Sequence, residues 1–230
     1  MLILGLQKLT LLDYPGRTAC TVFMGGCNFR CPFCHNAPLV LPGREQEPYT
    51  EEEVLSYLKK RAGLLDGVCV SGGEPTLQEG LDAFLRQVKA LGYQVKLDTN
   101  GSRPEALRAL LRQGLVDYVA MDVKSSPEEY AHACGVPVDL EKVNESIDLL
   151  LSGCVDYEFR TTVVAGLHTP QIIEQTARRI AGAKRYFLQA FVDSGDLVSG
   201  GVQAHTRDEL TRLRQAVLPY IPNTQLRGEE

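Results

Sequence analysis

Three cysteines, Cys27, Cys31 and Cys34, crowd into eight positions of a 230-residue chain, whereas Cys20, Cys69, Cys134 and Cys154 are scattered singly. Thiolates packed this closely can wrap one metal centre, and soft sulfur donors favour zinc or iron–sulfur. A closed zinc site wants four ligands in two pairs, and no second CxxC-like hook occurs elsewhere in the chain. His35 adjoins Cys34 directly, an awkward geometry for a fourth ligand. Three cysteines on a four-iron cluster leave one iron without a protein ligand, open to a substrate or cofactor. The spacing therefore favours a cluster over zinc.

Other segments carry polar groups whose meaning is ambiguous singly. In Ser71-Gly72-Gly73-Glu74-Pro75 the paired glycines let the backbone approach a ligand, and Glu74 offers an acceptor to a cationic amine, although a Gly-Gly pair is also an ordinary turn. Asp98-Thr99-Asn100-Gly101 offers carboxylate, hydroxyl and amide groups to a sugar or a cation, while Asn-Gly is equally a turn signal. Asp122 and Lys124 fall on one face of a strand by alternation, as an ion pair or as ligand contacts. Arg160, between Phe159 and Thr161, is a charge inside a strand that must find a partner or reach a cavity. Gln189 is a weaker candidate of the same kind.

The elements that must position these groups repeat as βα units. Strands are expected at Thr18–Met24, Gly67–Ser71, Tyr93–Asp98, Asp117–Val123, Tyr157–Val164 and Arg185–Phe191, mostly continuous apolar runs typical of parallel strands covered on both faces. Five capping boxes, Thr50/Glu53, Thr76/Glu79, Ser102/Glu105, Ser126/Glu129 and Thr206/Glu209, predict helix starts, and Thr169-Pro170 predicts another. Leu77, Leu81, Phe84, Leu85, Val88 and Leu91 form one helical stripe, as do Leu140, Val143, Ile147, Leu150 and Leu151. Gly195–Gly201 reads as a Gly/Ser-rich loop before a last helix, Thr206–Val217. Six such units build either an open doubly wound sheet or an incomplete barrel, and both put ligand chemistry at the carboxyl ends of the strands. The candidate residues from several strands converge on that edge.

Composition bounds the rest. Hydrophobic residues at 44% and charged residues at 23% exclude a disordered or fibrous chain and fit one domain over 1–230, with a core over 16–191 and a final helix over 206–217. No apolar run reaches the roughly 18 residues needed to cross a bilayer, and the first residues lack the order of a secretory signal, so a cytoplasmic protein without a membrane partner is expected. A net charge of −5 with no Lys/Arg block argues against nucleic acid. The single cysteines read as core residues of a reduced protein.

Cys27-x3-Cys31-x2-Cys34, with aromatic Phe33 before the last cysteine, resembles the signature of radical S-adenosylmethionine enzymes, and Gly72-Gly73-Glu74 resembles their methionine-amine motif. The opening Gly5-Leu6-Gln7-Lys8 to Asp13-Tyr14-Pro15-Gly16, with Cys34-His35-Asn36 and Leu97-Asp98-Thr99-Asn100-Gly101, resembles the glycyl-radical-enzyme activating proteins, above all those of anaerobic ribonucleoside-triphosphate reductases. The resemblance implies an α/β fold, a partial (β/α)6 TIM-like barrel, with one 4Fe-4S cluster on Cys27, Cys31 and Cys34. It implies that S-adenosylmethionine lies against Phe33, Gly72, Gly73, Glu74, Thr99 and Asn100. It also implies a monovalent cation held by Asp98, Thr99 and Asp122, with Lys124 and Arg160 near the cofactor carboxylate or a peptide substrate.

The implied reaction is reductive cleavage of S-adenosylmethionine to methionine and a 5′-deoxyadenosyl radical, which takes hydrogen from a glycine Cα of a partner glycyl radical enzyme. The electron would come from a donor such as flavodoxin or ferredoxin. Many such activating enzymes carry a ferredoxin-like insert after the first motif; only Ala37–Tyr49 occupies that place, so a second cluster is not expected. Two alternatives stay open: the same cofactors acting on a small molecule, or a zinc-stabilised binding module or simple electron carrier.

Overall fold

The computed structural model describes residues 1–41, 47–193 and 195–228, so residues 42–46 of the short segment after the cysteines lie outside the described residues. The chain divides into two units: Met1–Asn28, Pro38–Thr99 and Arg103–Val119 form the first, and Phe29–Ala37, Asn100–Ser102 and Ala120–Glu230 the second.

The elements run in chain order as β1 (Ile3–Thr10), β2 (Ala19–Met24), α1 (Ala37–Val40), α2 (Glu51–Arg61), β3 (Gly67–Gly72), a 3-10 turn (Pro75–Leu77), α3 (Leu81–Ala90), β4 (Gln94–Thr99), α4 (Pro104–Arg112), β5 (Tyr118–Asp122), α5 (Tyr130–Cys134), α6 (Leu140–Leu151), β6 (Asp156–Val163), α7 (Pro170–Arg179), β7 (Tyr186–Ala190), α8 (Arg207–Val217) and β8 (Gln225–Arg227). All six expected strands form. In the first unit β2, β3 and β4 are parallel, and Met24 pairs with Gly72, so the cysteine segment and the Gly-Gly-Glu segment leave the sheet at one level. In the second unit β6, β7 and β8 are parallel.

Two strands escape the sequence reading. β1 pairs antiparallel with β2 at the edge, and most of its residues are partly or fully exposed, so it lacks the continuous apolar run of a covered strand. β8 has only 3 residues, too few to show a period.

The helix starts divide in the same way. Thr50/Glu53 and Thr206/Glu209 close complete capping boxes, and Thr169 caps α7 with Pro170 behind it. Thr76 does not cap a helix; its backbone and hydroxyl bond Glu74 instead, and α3 begins at Leu81 after the left-handed Gly80. Neither Ser102 nor Ser126 caps: α4 starts behind Arg103 and α5 behind Glu129. In the first of these the competing partner, Glu74, is as local as the one expected.

The first unit buries Val22, Val68, Val70, Val95 and Leu97 of the sheet together with Phe84, Leu85 and Val88 of α3, a helix that lies against β4. The second unit buries Tyr157, Phe159, Tyr186 and Leu188 with Val143, Ile147 and Leu150 of α6. Cys20, Cys69 and Cys134 are buried as core residues, whereas Cys154 is exposed just beyond α6, where the chain has left the core.

Candidate active site

In the first unit the Gly-Gly-Glu segment braces the start of the cysteine segment. Gly73 N–H donates to Met24 O at 2.8 Å, and Glu74 N–H donates to Gly26 O at 2.8 Å. A Cβ on Gly72 would lie 2.4 Å from Met24 O, and one on Gly73 would lie 1.9 Å from Gly26 O. The paired glycines are thus required by the approach of protein backbone, a reason the sequence reading assigned to a ligand. Gly26 N–H donates to Leu39 O at 2.7 Å and Gln78 Nε2 to Gly25 O at 2.8 Å, so the residues ahead of the half-buried Cys27 are pinned on several sides.

Glu74 is fully buried and its Oε1 accepts from Thr76 N–H at 3.1 Å, Thr76 Oγ1 at 2.5 Å and Thr99 Oγ1 at 2.8 Å. These bonds give the buried carboxyl group the partners that water cannot supply. Asp98 accepts from Ser71 Oγ at 2.9 Å on Oδ2 and from the Lys96 ammonium on Oδ1. Lys96 was missed by the sequence reading; a lysine two residues ahead of an aspartate within one strand is the signal that could have found it.

In the second unit the segment holding Cys31, Phe33 and Cys34 is fastened from below. Arg30 N–H donates to Cys134 O at 2.8 Å, and Gly135, at φ +66°, leaves the room that a Cβ 2.3 Å from Arg30 O would take. Cys34 N–H donates to Cys31 O at 3.1 Å. A hydrogen bond with the Cys134 thiol, helped by the Lys124 charge and opposed by burial, brings the Cys31 thiol down to about 7. Burial pushes the Cys34 thiol up and the His35 imidazole down.

Phe33 is buried and meets the His168 ring edge-on, with centroids 6.1 Å apart. His168 Nδ1 accepts from Val164 N–H at 3.0 Å, which leaves the proton on Nε2 to be donated to Lys124 O at 2.9 Å. Burial brings this imidazole down to about 4, so it is neutral near pH 7.

Asp122 accepts from Arg160 Nε at 2.8 Å and from Lys124 Nζ at 3.0 Å. Burial opposes its charge, but the two cations overcome that and hold the carboxyl well below the usual carboxylate range. Arg160 thus makes the structural ion pair that was one of its two readings. Asn100 Oδ1 accepts from Ser102 N–H at 2.9 Å, a turn closed by the side chain, and Ser146 Oγ donates to Gly101 O at 2.7 Å. Gln189 lies half-buried in β7, paired in register with Thr162 of β6.

All seven cysteines are free thiols. Among the described residues no group of three His, Cys, Asp or Glu side chains is gathered to hold a metal ion. The donor chemistry nonetheless fits an iron–sulfur cluster: three unbridged thiols lie on one short stretch of chain, and one of them, Cys31, titrates near neutrality.

Residues 21–180 match the family model of the radical SAM superfamily. The chain belongs to that superfamily: it is a radical SAM enzyme with the α/β, partial TIM-barrel fold, and its cofactors are a 4Fe-4S cluster and S-adenosylmethionine. A Methanocaldococcus jannaschii protein provisionally named a glycyl-radical enzyme activating enzyme is 32% identical over 233 residues, 98% of this chain and 95% of its own length. Within the superfamily the chain therefore belongs to the glycyl-radical-enzyme activating family. The pyruvate formate-lyase-activating enzyme of Listeria monocytogenes is 33% identical over 136 residues, 55% of this chain and 54% of its own. The crystal structure of Streptococcus suis SuiB bound to precursor peptide SuiA superposes with a TM-score of 0.71 at 15% identity, over 90% of this chain and 48% of that one, a likeness of fold.

Proposed function

We propose that this protein installs a glycyl radical on a separate protein, an anaerobic ribonucleoside-triphosphate reductase. The observation that carries the activating role is the likeness to an activating enzyme over 98% of the chain, rather than over the cysteine motif alone; the reductase as partner rests on the resemblance of segments 5–16 and 97–101. Together the cluster and S-adenosylmethionine supply a one-electron reduction that releases methionine and a 5′-deoxyadenosyl radical able to take hydrogen from an unactivated carbon.

In this reading Cys27, Cys31 and Cys34 hold the cluster, and Glu74 receives the methionine amine as a buried carboxylate already polarised by Thr76 and Thr99. Gly72 and Gly73, pressed against Met24 and Gly26, set the position of Glu74, whose N–H bonds Gly26 O, while Phe33, Thr99 and Asn100 line the place of the nucleoside. Lys124 and Arg160, locked on Asp122, offer positive charge to a carboxylate of the cofactor or of the peptide. Flavodoxin or ferredoxin serves as the electron donor. No described helix is long and apolar enough to cross a membrane, and we place the reaction in the cytoplasm.

The deciding experiment is anaerobic: reconstituted protein, dithionite, S-adenosylmethionine and the reductase, with 5′-deoxyadenosine quantified and the glycyl radical read by electron paramagnetic resonance. A glycyl doublet on the reductase supports the proposal. Deoxyadenosine without any radical on this or another glycyl radical enzyme favours a small-molecule substrate. Stoichiometric zinc in anaerobically purified protein, with no iron, refutes radical chemistry.

A further inference from the structure

Lys96 lies in the middle of β4 and is 2% exposed. A buried ammonium is unfavourable unless its charge is answered at short range. Here the answer comes from Asp98, two residues along the same strand and so on the same face of the sheet. Cys69, opposite Lys96 in the register of β3 with β4, places its sulfur 3.7 Å from the ammonium. Ser71, on the same strand as Cys69, donates to the other Asp98 oxygen at 2.9 Å. The carboxylate at the carboxyl end of β4 is therefore held on both oxygens by the chain, and one of the holding groups is a full positive charge.

A metal cation approaching Asp98 would meet this ammonium at contact range and be repelled by it. In the second unit Asp122, the other carboxylate expected to bind a cation, is likewise answered by Lys124 and Arg160. Each carboxylate carries its own protein-borne cation.

We propose that Lys96 is the built-in counter-ion of Asp98: a positioning residue that does the work of a bound monovalent cation and makes cofactor binding independent of Na⁺ and K⁺. The inference rests on the S-adenosylmethionine site proposed above, because Asp98 directly precedes Thr99, whose hydroxyl bonds Glu74.

The test compares reconstituted protein with choline as the sole monovalent cation against Na⁺ or K⁺ at equal ionic strength. Melting temperature and S-adenosylmethionine affinity are measured in each. For the unaltered protein neither quantity is expected to depend on the alkali ion. Lys96→Met is expected to lose about tenfold or more in affinity in choline, to regain it with Na⁺ or K⁺, and to melt higher with that ion present. Lys96→Arg should remain independent of the ion.

A wild-type melting temperature or affinity that rises with Na⁺ or K⁺ overturns the proposal, and so does a Lys96→Met variant that neither ion rescues. If Lys96→Met does not fold, the wild-type and Lys96→Arg comparisons decide. The melting measurement needs no cofactor, so a protein that binds no S-adenosylmethionine refutes the proposed activity while the cation result still stands or falls alone.

Discussion

The carbonyl oxygen of Gly26 lies 1.9 Å from where a side chain on Gly73 would begin, and the next N–H, that of Glu74, donates to the same oxygen at 2.8 Å. The backbone ahead of Cys27 and the backbone ahead of Glu74 are thereby locked together, and the lock tolerates no Cβ. Gly73→Ala is expected to cost at least the 1–3 kcal/mol typical of overpacking, about 2 kcal/mol or more. Gly80→Ala is the control: nothing lies within 4 Å of its Cβ, and only the left-handed φ of +80° resists it, about 1 kcal/mol. Urea unfolding of the two variants checks the order, and iron retained per chain should fall in Gly73→Ala alone.

Glu74→Gln keeps the shape of the side chain and removes its charge. If the carboxylate receives a cofactor amine, S-adenosylmethionine affinity falls by about ten- to a hundredfold, the worth of a charge-assisted hydrogen bond. The cluster absorbance is expected to be unchanged, since no iron ligand is touched. Anaerobic equilibrium binding reads the loss; unaltered affinity removes Glu74 from the site.

Cys31→Ala is expected to abolish the cluster and with it all cofactor cleavage, read as iron and sulfide per chain and as deoxyadenosine formed. Cys134→Ala acts differently, because Cys134 supplies the hydrogen bond that most favours the Cys31 thiolate. In cluster-free protein the thiolate absorbance that titrates at about 7 should move up toward the ordinary thiol range in that variant. No movement would assign the lowering to the Lys124 charge and the backbone hydrogen bond instead.

His168 makes stability depend on pH. Burial brings its imidazole from about 6.5 to about 4 in the folded state, so the unfolded chain binds the extra proton between those values. Its contribution is complete above about pH 6.5 and is lost as pH falls through about 4, amounting to about 3 kcal/mol at most. The unfolding free energy measured in urea should therefore decline across this window, and His168→Leu should flatten that decline while lowering stability at neutral pH, where Val164 N–H and Lys124 O lose their partner. An unchanged slope in the variant assigns the acid sensitivity elsewhere.

Much of the molecule was legible along the chain. The six covered strands announce themselves because a parallel strand buried on both faces is mostly apolar, and Thr50 and Thr206 announce helices because their partners lie three residues away. The cysteine spacing is equally local: eight positions of chain define a donor set whatever surrounds it. Thr76, Ser102 and Ser126 had the same local signature and did not cap helices, since Thr76 was taken by Glu74 and the other two helices start elsewhere. The edge strand β1, mostly exposed or half-exposed, had no apolar period to read.

What only the tertiary structure decided are the relationships set by strand register and chain crossing. Composition and spacing show that Gly72 and Gly73 lack side chains; register places them against Met24 and Gly26. Lys96 is an unremarked lysine until β3 and β4 pair Cys69 beside it and seal its charge against Asp98. Cys134 is one of four isolated cysteines until the fold sets its thiol against Cys31. Residue types and short spacings determined which chemistry this chain can carry, because donor sets and apolar periods are local. Which charges are already answered, and by whom, depended on burial and on contacts between residues distant in sequence, which the chain acquires only when it folds.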